Sequence, residues 1–323
     1  NGLGDKYSRY MNADAYKLYS SKLEGRSAGI GVEVETDPES GYLLITEVYP
    51  NSPAQTEGLQ KGDKIVAIGG DTVTAENSSE MAGSGIKLTS VSLTYRRDDV
   101  DKSVNVVLGY TNQTVSYELI GTVGYIKISA FYKNTLNQLE KAVDQLKKEG
   151  AKSLVFDVRS TYDGTIEYTC RVIDYLVPAA TDGNKALATL VDKNGNNVKT
   201  YSSDAKDITM PMAVLINSDT AGYGELFACD LKDFGKAFLI GEKTAGRADV
   251  QETFELSDGG AVVLTTSKML PYISESFDGK GLTPDTEIIL ADSLRENLST
   301  LEKERDTQLQ AAISMLAGNS SED

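Results

Sequence analysis

From Val123 onward, the chain alternates apolar strand patterns with amphipathic helix patterns. The runs SLVFDVR, MAVLIN and AFLIGE have the continuous apolar character of buried strands, and helix patterns over about 166–176 and 223–234 lie between them. This alternation favours a largely parallel sheet with helices on its faces, because parallel neighbours are joined by crossover connections. The second part of the chain is therefore predicted to be an α/β domain.

Residues 27–112 differ from this part because they contain short strand patterns separated by tight turns. YLLITEV, KIVAIGG, VSLTYRR and VNVVLGY are typical of strands, and a one-turn helix ending at Gly58 lies between the first two. These patterns predict a small β-rich domain. The expected organisation is an N-terminal helical segment at 1–26 with a helix at 12–24, the β-rich domain at 27–112, and the α/β core with a C-terminal helix at 113–323.

The charge of the chain disfavours two classes of partner. The 323 residues include 32 basic and 48 acidic side chains, which gives a net charge of −16. A field of this sign repels phosphate backbones and anionic membranes, so neither nucleic acid nor lipid is expected as a partner. No apolar run approaches the roughly 18 residues that a membrane span needs.

The chain contains no histidine. This excludes every Ser-His-Asp or Cys-His mechanism and removes the commonest zinc ligand. Cys170 and Cys229 are too few for a disulfide framework and are expected to be buried thiols. The loop DKNGNNV at 192–198 has the composition of a calcium loop but lacks the downstream glutamate, so a hairpin turn is expected there. Neither a metal nor a cofactor is predicted.

Several motifs occur in an order that identifies a family. Segments resembling the carboxyl-terminal processing, or tail-specific, serine peptidases are, in order, GLGDKYSRYM, GIGVEV, VYPNSPAQTEGLQKGDKIVAIGGDTV, LVFDVR, PMAVLINSDTAGYGE, FLIGEKTAGRADVQ and GKGLTPD. The resemblance covers nearly the whole chain. It implies an α/β protease-like core of the ClpP/crotonase-like kind, a mixed sheet covered by helices, together with a small β-rich PDZ domain and terminal helices.

The resemblance implies a serine–lysine dyad, in which a serine attacks the scissile carbonyl, a neutral lysine takes its proton, and a glutamine positions the lysine. Residue by residue, the nucleophile position falls on Gly222, the lysine position falls on Arg247, and the glutamine is retained as Gln251. The separation of the first two along the chain matches the family pattern. Glycine has no oxygen for attack, and arginine stays protonated near neutrality and cannot act as the base. Both members of the dyad are therefore expected to be lost.

The loop after the core strand also departs from the family. The family's NNPGG is STYDG here, with Asp163 in place of the first glycine and Gly164 retained. A carboxylate beside a developing oxyanion would oppose it, so the oxyanion loop is predicted to be altered. A salt bridge between Asp163 and Arg247 is one hypothesis that explains both substitutions. Ser218 with Lys243 is an alternative dyad at the same spacing, but both correspond to residues that the family already has beside its dyad.

Three further residues lie at the turn around Gly222. Thr220 and Tyr223 carry hydroxyls but have no visible base partner, so they are expected to pack or to cap the following helix. Glu225, at the start of that helix, is expected to favour its positive end.

The PDZ domain is expected to bind a C-terminal tail by adding it to a sheet edge. The candidate peptide-binding residues are Gly29, Ile30, Gly31 and Val32, within the loop and strand SAGIGV. The other wall of the groove is expected from a helix at 77–85, where NSSEMAGSG is short and rich in helix-destabilising glycine. The alternative is a PDZ fold kept as a rigid spacer or regulatory lid.

The sequence thus predicts a pseudoprotease that binds protein C-terminal tails or partner proteins, with no cofactor. One alternative is an active serine-type endopeptidase that cleaves such tails. Another is a structural scaffold that forms a homodimer through the terminal helices at 12–24 and 292–317, whose apolar faces could pair between chains. By resemblance the protein is expected outside the cytoplasm, secreted or membrane-anchored, with its leader absent from this chain.

Overall fold

The computed structural model describes residues 7–27, 29–49, 52–78, 81, 90–107, 110–178, 186–203, 208–295, 298 and 301–319. The chain forms two compact units, one of residues Ala13–Gln113 and one of residues Asn1–Asn12 with Thr114–Asp323. The three-part division expected from the sequence, at 1–26, 27–112 and 113–323, stays a prediction of domain organisation.

The helices and strands are numbered in chain order. Up to residue 113 they are β1 (Arg9–Met11), α1 (Ala13–Leu23), β2 (Arg26–Ser27), β3 (Val32–Thr36), β4 (Leu43–Val48), α2 (Pro53–Thr56), β5 (Lys64–Ile68), β6 (Asp71–Thr72), β7 (Ser90–Arg97), β8 (Val100–Val107) and β9 (Tyr110–Thr111). After it they are β10 (Val115–Ile120), β11 (Val123–Ile128), α3 (Thr135–Glu149), β12 (Ser153–Asp157), α4 (Ile166–Leu176), β13 (Ala186–Val191), β14 (Asn197–Ser202), β15 (Met212–Ile216), α5 (Tyr223–Asp233), β16 (Ala237–Gly241), β17 (Asp249–Glu255), β18 (Ala261–Leu270), β19 (Thr286–Glu287), α6 (Asp292–Arg295), a 3-10 turn (Lys303–Arg305) and α7 (Thr307–Asn319).

The larger unit is built on a six-stranded sheet in the order β10-β11-β12-β15-β16-β19. Only β10 runs antiparallel to its neighbour, and the other pairings are parallel. Every residue of β12 and β15 is buried, because helices cover both faces of the sheet. The α/β architecture predicted from the alternating patterns is therefore confirmed.

The two faces of this sheet are covered by different helices. Helices α3, α4 and α5 contribute to the main apolar cluster on one face. On the other face, Leu309, Ala312 and Leu316 of α7 pack on the sheet without exposed surface. The predicted terminal helix at 292–317 was wrong in extent, because that range contains α6, the 3-10 turn and α7 as separate elements. These three side chains pack against the sheet, and a homodimer through the terminal helices stays a prediction.

A second sheet of the larger unit is antiparallel. It has the order β1-β18-β13-β14, and β17 pairs with β18. The turn between β13 and β14 is a hairpin, as predicted for DKNGNNV, with the Asp192 carboxylate accepting from the amides of Asn194 and Asn196. Gly195 has φ +81° there, a conformation that glycine adopts without strain.

The smaller unit is β-rich, as predicted, with a sheet in the order β3-β4-β5-β7-β8 and with β6 beside β5. Helix α1 occupies 13–23, in agreement with the helix expected at 12–24. Most of the groove wall expected at 77–85 lies outside the described residues. Within the described chain, no helix combines the length and the apolar character needed to cross a membrane. Both cysteines are buried free thiols, as predicted.

Candidate active site

The candidate site lies between the end of β15 and the start of α5. The turn of residues 217–222 is tied to the loop after β12 by the Asn217 side chain, whose Oδ1 accepts from the amides of Ser160 at 2.8 Å and Thr220 at 3.0 Å. The Thr220 hydroxyl accepts from the Asn217 amide and lies 3.0 Å from the Val158 carbonyl oxygen. Thr220 is fully buried, so its hydroxyl fixes the turn, in line with the packing role expected for it.

Gly222 adopts φ +58° and ψ −110° at the N-cap of α5. A sharp strand-to-helix turn of this kind is where hydrolases hold a nucleophile in a strained conformation. A Cβ added at Gly222 would lie 3.7 Å from the Tyr162 carbonyl oxygen and 3.8 Å from that of Arg247, which are ordinary contacts. The turn therefore has room for a side chain, but glycine supplies none.

Glu225 is the buried centre of the site. Its Oε1 accepts from the Thr244 hydroxyl at 2.5 Å and the Gly246 amide at 2.7 Å. Its Oε2 accepts from the amides of Gly222 at 2.9 Å and Arg247 at 2.8 Å. Burial raises the pKa of Glu225, and these four hydrogen bonds oppose the shift. The carboxylate thus joins the start of α5 to the loop of residues 244–247.

The sequence predicts only an electrostatic role for Glu225, at the start of the helix. The position fits that expectation, because the carboxylate accepts from the N-cap amide of α5. The link to residues 244–247 was missed, since it joins segments that are distant in sequence. A glutamate placed three residues after a glycine N-cap was the signal available.

Arg247 is held against an aromatic ring. Its guanidinium carbon lies 4.3 Å from the centroid of the Tyr7 ring, within the range of a cation–π interaction. Its Nε is buried and has no hydrogen-bond partner among the described residues. The ion pairs found in the described part of the chain do not include Asp163 with Arg247, so the hypothesis of a salt bridge across the site is not supported.

Gln251, the retained glutamine, also contacts the N-terminal segment. Its Nε2 donates to the Tyr7 carbonyl oxygen at 2.8 Å, and the Thr265 amide donates to the Ser8 hydroxyl at 3.2 Å. Strand β1 continues this attachment by pairing with β18. Residues 7–11 are therefore part of the site. The motif GLGDKYSRYM contains them, but the sequence alone does not place them beside Arg247 and Gln251.

In the loop containing Asp163 and Gly164, the Asp163 carboxylate accepts hydrogen bonds from its own neighbourhood. Asp163 accepts from the Tyr132 hydroxyl at 2.6 Å and from the Gly164 amide at 2.9 Å. Gly164 has φ +145°, and a Cβ there would lie 2.6 Å from the Phe131 carbonyl oxygen, so this position requires glycine. The Gly164 amide consequently points at a negative charge, which opposes its use for a second anion.

The alternative dyad of Ser218 and Lys243 is not assembled. Both residues are exposed, and no hydrogen bond joins them in the part of the chain that the structure describes. A lysine base needs a desolvated setting to lose its proton near neutrality, and an exposed lysine lacks it. The described residues also contain no cluster of acidic or cysteine side chains arranged to hold a metal ion.

The second predicted site, Gly29, Ile30, Gly31 and Val32, lies in the smaller unit at the start of β3. The Ile30 carbonyl accepts from the Ala54 amide, and the Gly31 carbonyl accepts from the Tyr49 amide, both at 2.9 Å. Gly31 has φ +83°, and a Cβ there would lie 2.2 Å from Ser52 Cβ, so only glycine fits. These two hydrogen bonds hold the loop against residues 49 and 54, and β3 is the end strand of its sheet among the described residues.

Comparisons with known proteins agree with this architecture. Residues 122–288 match the model of peptidase family S41, and residues 28–108 match that of the PDZ domain. Carboxy-terminal processing protease CtpA of Bacillus subtilis is 30% identical over 90% of this chain and 62% of its own length. A carboxyl-terminal-processing protease of Picosynechococcus sp. is 28% identical over 97% of this chain and 76% of its own length.

A solved structure supports the fold alone. A candidate S41 protease from Bacteroides fragilis has a TM-score of 0.61 with 21% identity, over 98% of this chain and 88% of its own. The chain spans only 62% of the length of the Bacillus subtilis relative. Activity, substrate and partners of the whole protein are therefore matters for proposal.

Proposed function

The chain belongs to peptidase family S41, and from this premise we propose that it is a pseudoprotease that binds protein tails without cleaving them. The observation that carries the proposal is Gly222 in the strained turn at the start of α5, where the nucleophile is expected. Gly222 lies there with φ +58°, and glycine presents no oxygen for attack.

Arg247 supports the proposal independently. The general base must be neutral to accept a proton, and a guanidinium remains charged at neutral pH. The guanidinium carbon lies 4.3 Å from the centroid of the Tyr7 ring, within the range of a cation–π interaction. Because nucleophile and base act as a unit, loss of either one removes most of the rate enhancement, typically about 10⁶-fold. Here both positions carry the wrong side chain.

The altered loop is a third line of support. The Gly164 amide donates to the Asp163 carboxylate, so a fixed negative charge lies where the family resemblance expects oxyanion stabilisation. Restoring the dyad alone is therefore not expected to restore full activity.

The binding half of the proposal rests on the PDZ domain. Such domains take an extended C-terminal tail as an additional strand at a sheet edge. Strand β3 lies at an edge, and the loop of Gly29 to Gly31 adjoins it. We propose this edge as the site for protein C-terminal tails. A location outside the cytoplasm stays a prediction from the family resemblance.

The direct test is incubation with an unstructured protein that ends in an apolar tail, followed by intact mass spectrometry. We expect no cleavage by the natural chain and measurable cleavage after Gly222→Ser, Arg247→Lys and Asp163→Gly are combined. Gly222→Ser with Arg247→Lys alone is the matched control, and it should be less active than the triple variant. Calorimetry with the same tail as a peptide should show binding that amidation of its C-terminus weakens.

A working serine-type peptidase is the second candidate, and the names of the relatives favour it. The Bacillus subtilis and Picosynechococcus relatives are both named as processing proteases. Cleavage by the natural chain that Ser218→Ala abolishes would establish this candidate and refute the first. The scaffold alternative would require a dimer with no tail affinity, which sedimentation and the calorimetry distinguish.

A further inference from the structure

The outward face of strand β3 is acidic. Val32 and Val34 pack against the apolar cluster of their domain, so the alternating residues Glu33 and Glu35 face solvent. Glu47 on β4 is the register partner of Glu33 and is also exposed. Three carboxylates therefore share the outer surface beside the edge of the sheet.

The charge of these carboxylates is not balanced by a cation among the described residues. Within that part of the chain, no lysine or arginine forms an ion pair with any of the three. The Glu33 carboxylate accepts a hydrogen bond from the Tyr49 hydroxyl at 2.5 Å, which leaves its charge uncompensated. Elsewhere in the same unit, Asp63 is paired with Arg97 at 2.6 Å. Like charges opposite each other on neighbouring strands are destabilising, so this arrangement favours a positively charged occupant.

The edge of β3 determines where such an occupant would lie. Strand β3 pairs with β4 on one side, and it ends the order of its sheet in the described part of the chain. A strand added at this edge would place alternate side chains on the two faces of the sheet. If the last residue of a tail faces inward beside Val32 and Val34, the first and third residues before it face outward, beside Glu33 and Glu35.

We propose that Glu33 and Glu35 determine specificity, by selecting protein tails that end in an apolar residue and carry lysine or arginine at the first and third positions before it. This inference rests on the proposed function, in that it assigns the class of tail bound at the β3 edge. The selecting force is charge complementarity across the added strand pair.

The test uses three peptides that share an apolar last residue: one with lysine at the two outward positions, one with glutamate there, and the lysine peptide with an amidated C-terminus. Titration by fluorescence anisotropy at low salt should give roughly ten-fold tighter binding of the lysine peptide than of the glutamate peptide. At about 0.5 M NaCl the ratio should fall below about two, because these exposed charges are screened.

Glu35→Lys is the informative variant, because it reverses one outward charge without removing the hydrogen bond that Glu33 makes. It should bring the ratio of the two affinities close to one. Asp71→Lys is the matched control: it changes the net charge equally at an exposed position on β6, which pairs with β5, and it should leave the ratio unchanged. Equal affinities for the natural chain, or equal effects of the two variants, would overturn the specificity and leave tail binding intact. If none of the peptides binds, the proposed binding function fails and the specificity fails with it.

Discussion

The two ends of helix α5 each bury a carboxylate, but their surroundings differ. Glu225, in the first turn, has no exposed surface and accepts four hydrogen bonds. Asp230, in the last turn, also has no exposed surface and accepts one, from the Tyr272 amide at 3.0 Å. Its Oδ2 is buried without a partner among the described residues. Burial raises the pKa of both groups, and it raises that of Asp230 well above its ordinary range.

This difference shows that two factors decide whether a buried carboxylate is stabilised as an anion: its position on the helix and the number of hydrogen-bond donors around it. The start of a helix carries a partial positive charge and unpaired amides, which stabilise an anion. The end of a helix carries a partial negative charge, which destabilises one. Glu225 can therefore hold two segments together, whereas Asp230 is accommodated most easily in its protonated form.

The largest expected effect is at the N-terminal end of α5. Glu225→Ala removes the acceptor for four donors, three of them backbone amides, and leaves them buried without partners. We expect a loss of about 3–5 kcal/mol in the free energy of unfolding of the larger unit. Urea denaturation followed by circular dichroism measures it.

The control for this substitution is Glu167→Ala, which removes an exposed carboxylate paired with Arg171 on α4. Exposed pairs of this kind contribute about 0.5 kcal/mol or less. A loss for Glu225→Ala no larger than that of the control would show that the four hydrogen bonds do not hold the site together.

The second prediction is an increase in the free energy of unfolding. Asp230→Asn keeps an acceptor for the Tyr272 amide and removes the possibility of a buried charge, so it should stabilise the protein by about 1–3 kcal/mol at pH 7. Because the folded-state pKa of Asp230 lies above the unfolded one, the natural chain loses stability as pH rises from the ordinary aspartate range through the folded pKa. The advantage of Asp230→Asn should therefore grow with pH over this window and vanish below it. If Asp230→Asn is no more stable than the natural chain at pH 7, the buried charge of Asp230 does not destabilise the protein, and the prediction is refuted.

The contrast between these carboxylates also shows what a sequence can reveal. The start of α5, the parallel sheet and the hairpin at Asp192 follow from patterns of neighbouring residues, and each was predicted. The roles of Glu225 and Tyr7 depend on contacts with residues 244–247 and with Arg247, and no local pattern encodes them. The unpartnered Oδ2 of Asp230 was equally invisible, because an aspartate near a helix end is usually exposed.

A third prediction concerns backbone strain at Gly222, at the N-terminal end of α5. Gly222→Ala adds a Cβ where space is available but where φ is +58°, so the cost is conformational. We expect a loss of about 1–2 kcal/mol, without disruption of the fold. Gly150→Ala, at the end of α3 with φ +99°, is a matched control at a position where a Cβ meets nothing within 4 Å. A loss for Gly222→Ala well above about 3 kcal/mol would contradict a purely conformational cost.

The smallest expected effect tests how the positive charge at this end of α5 is balanced. A double-mutant cycle of Arg247→Met with Tyr7→Leu should give a coupling of about 0.5–1 kcal/mol, the usual size of a cation–π contact. The parallel cycle of Arg247→Met with Asp163→Asn should give a coupling near zero, because the Asp163 carboxylate is occupied by Tyr132 and by the Gly164 amide. If the second coupling exceeds the first, Arg247 is balanced by Asp163, and a charge pair replaces the lost dyad. If the first is larger, the aromatic ring of Tyr7 stabilises the guanidinium more than Asp163 does.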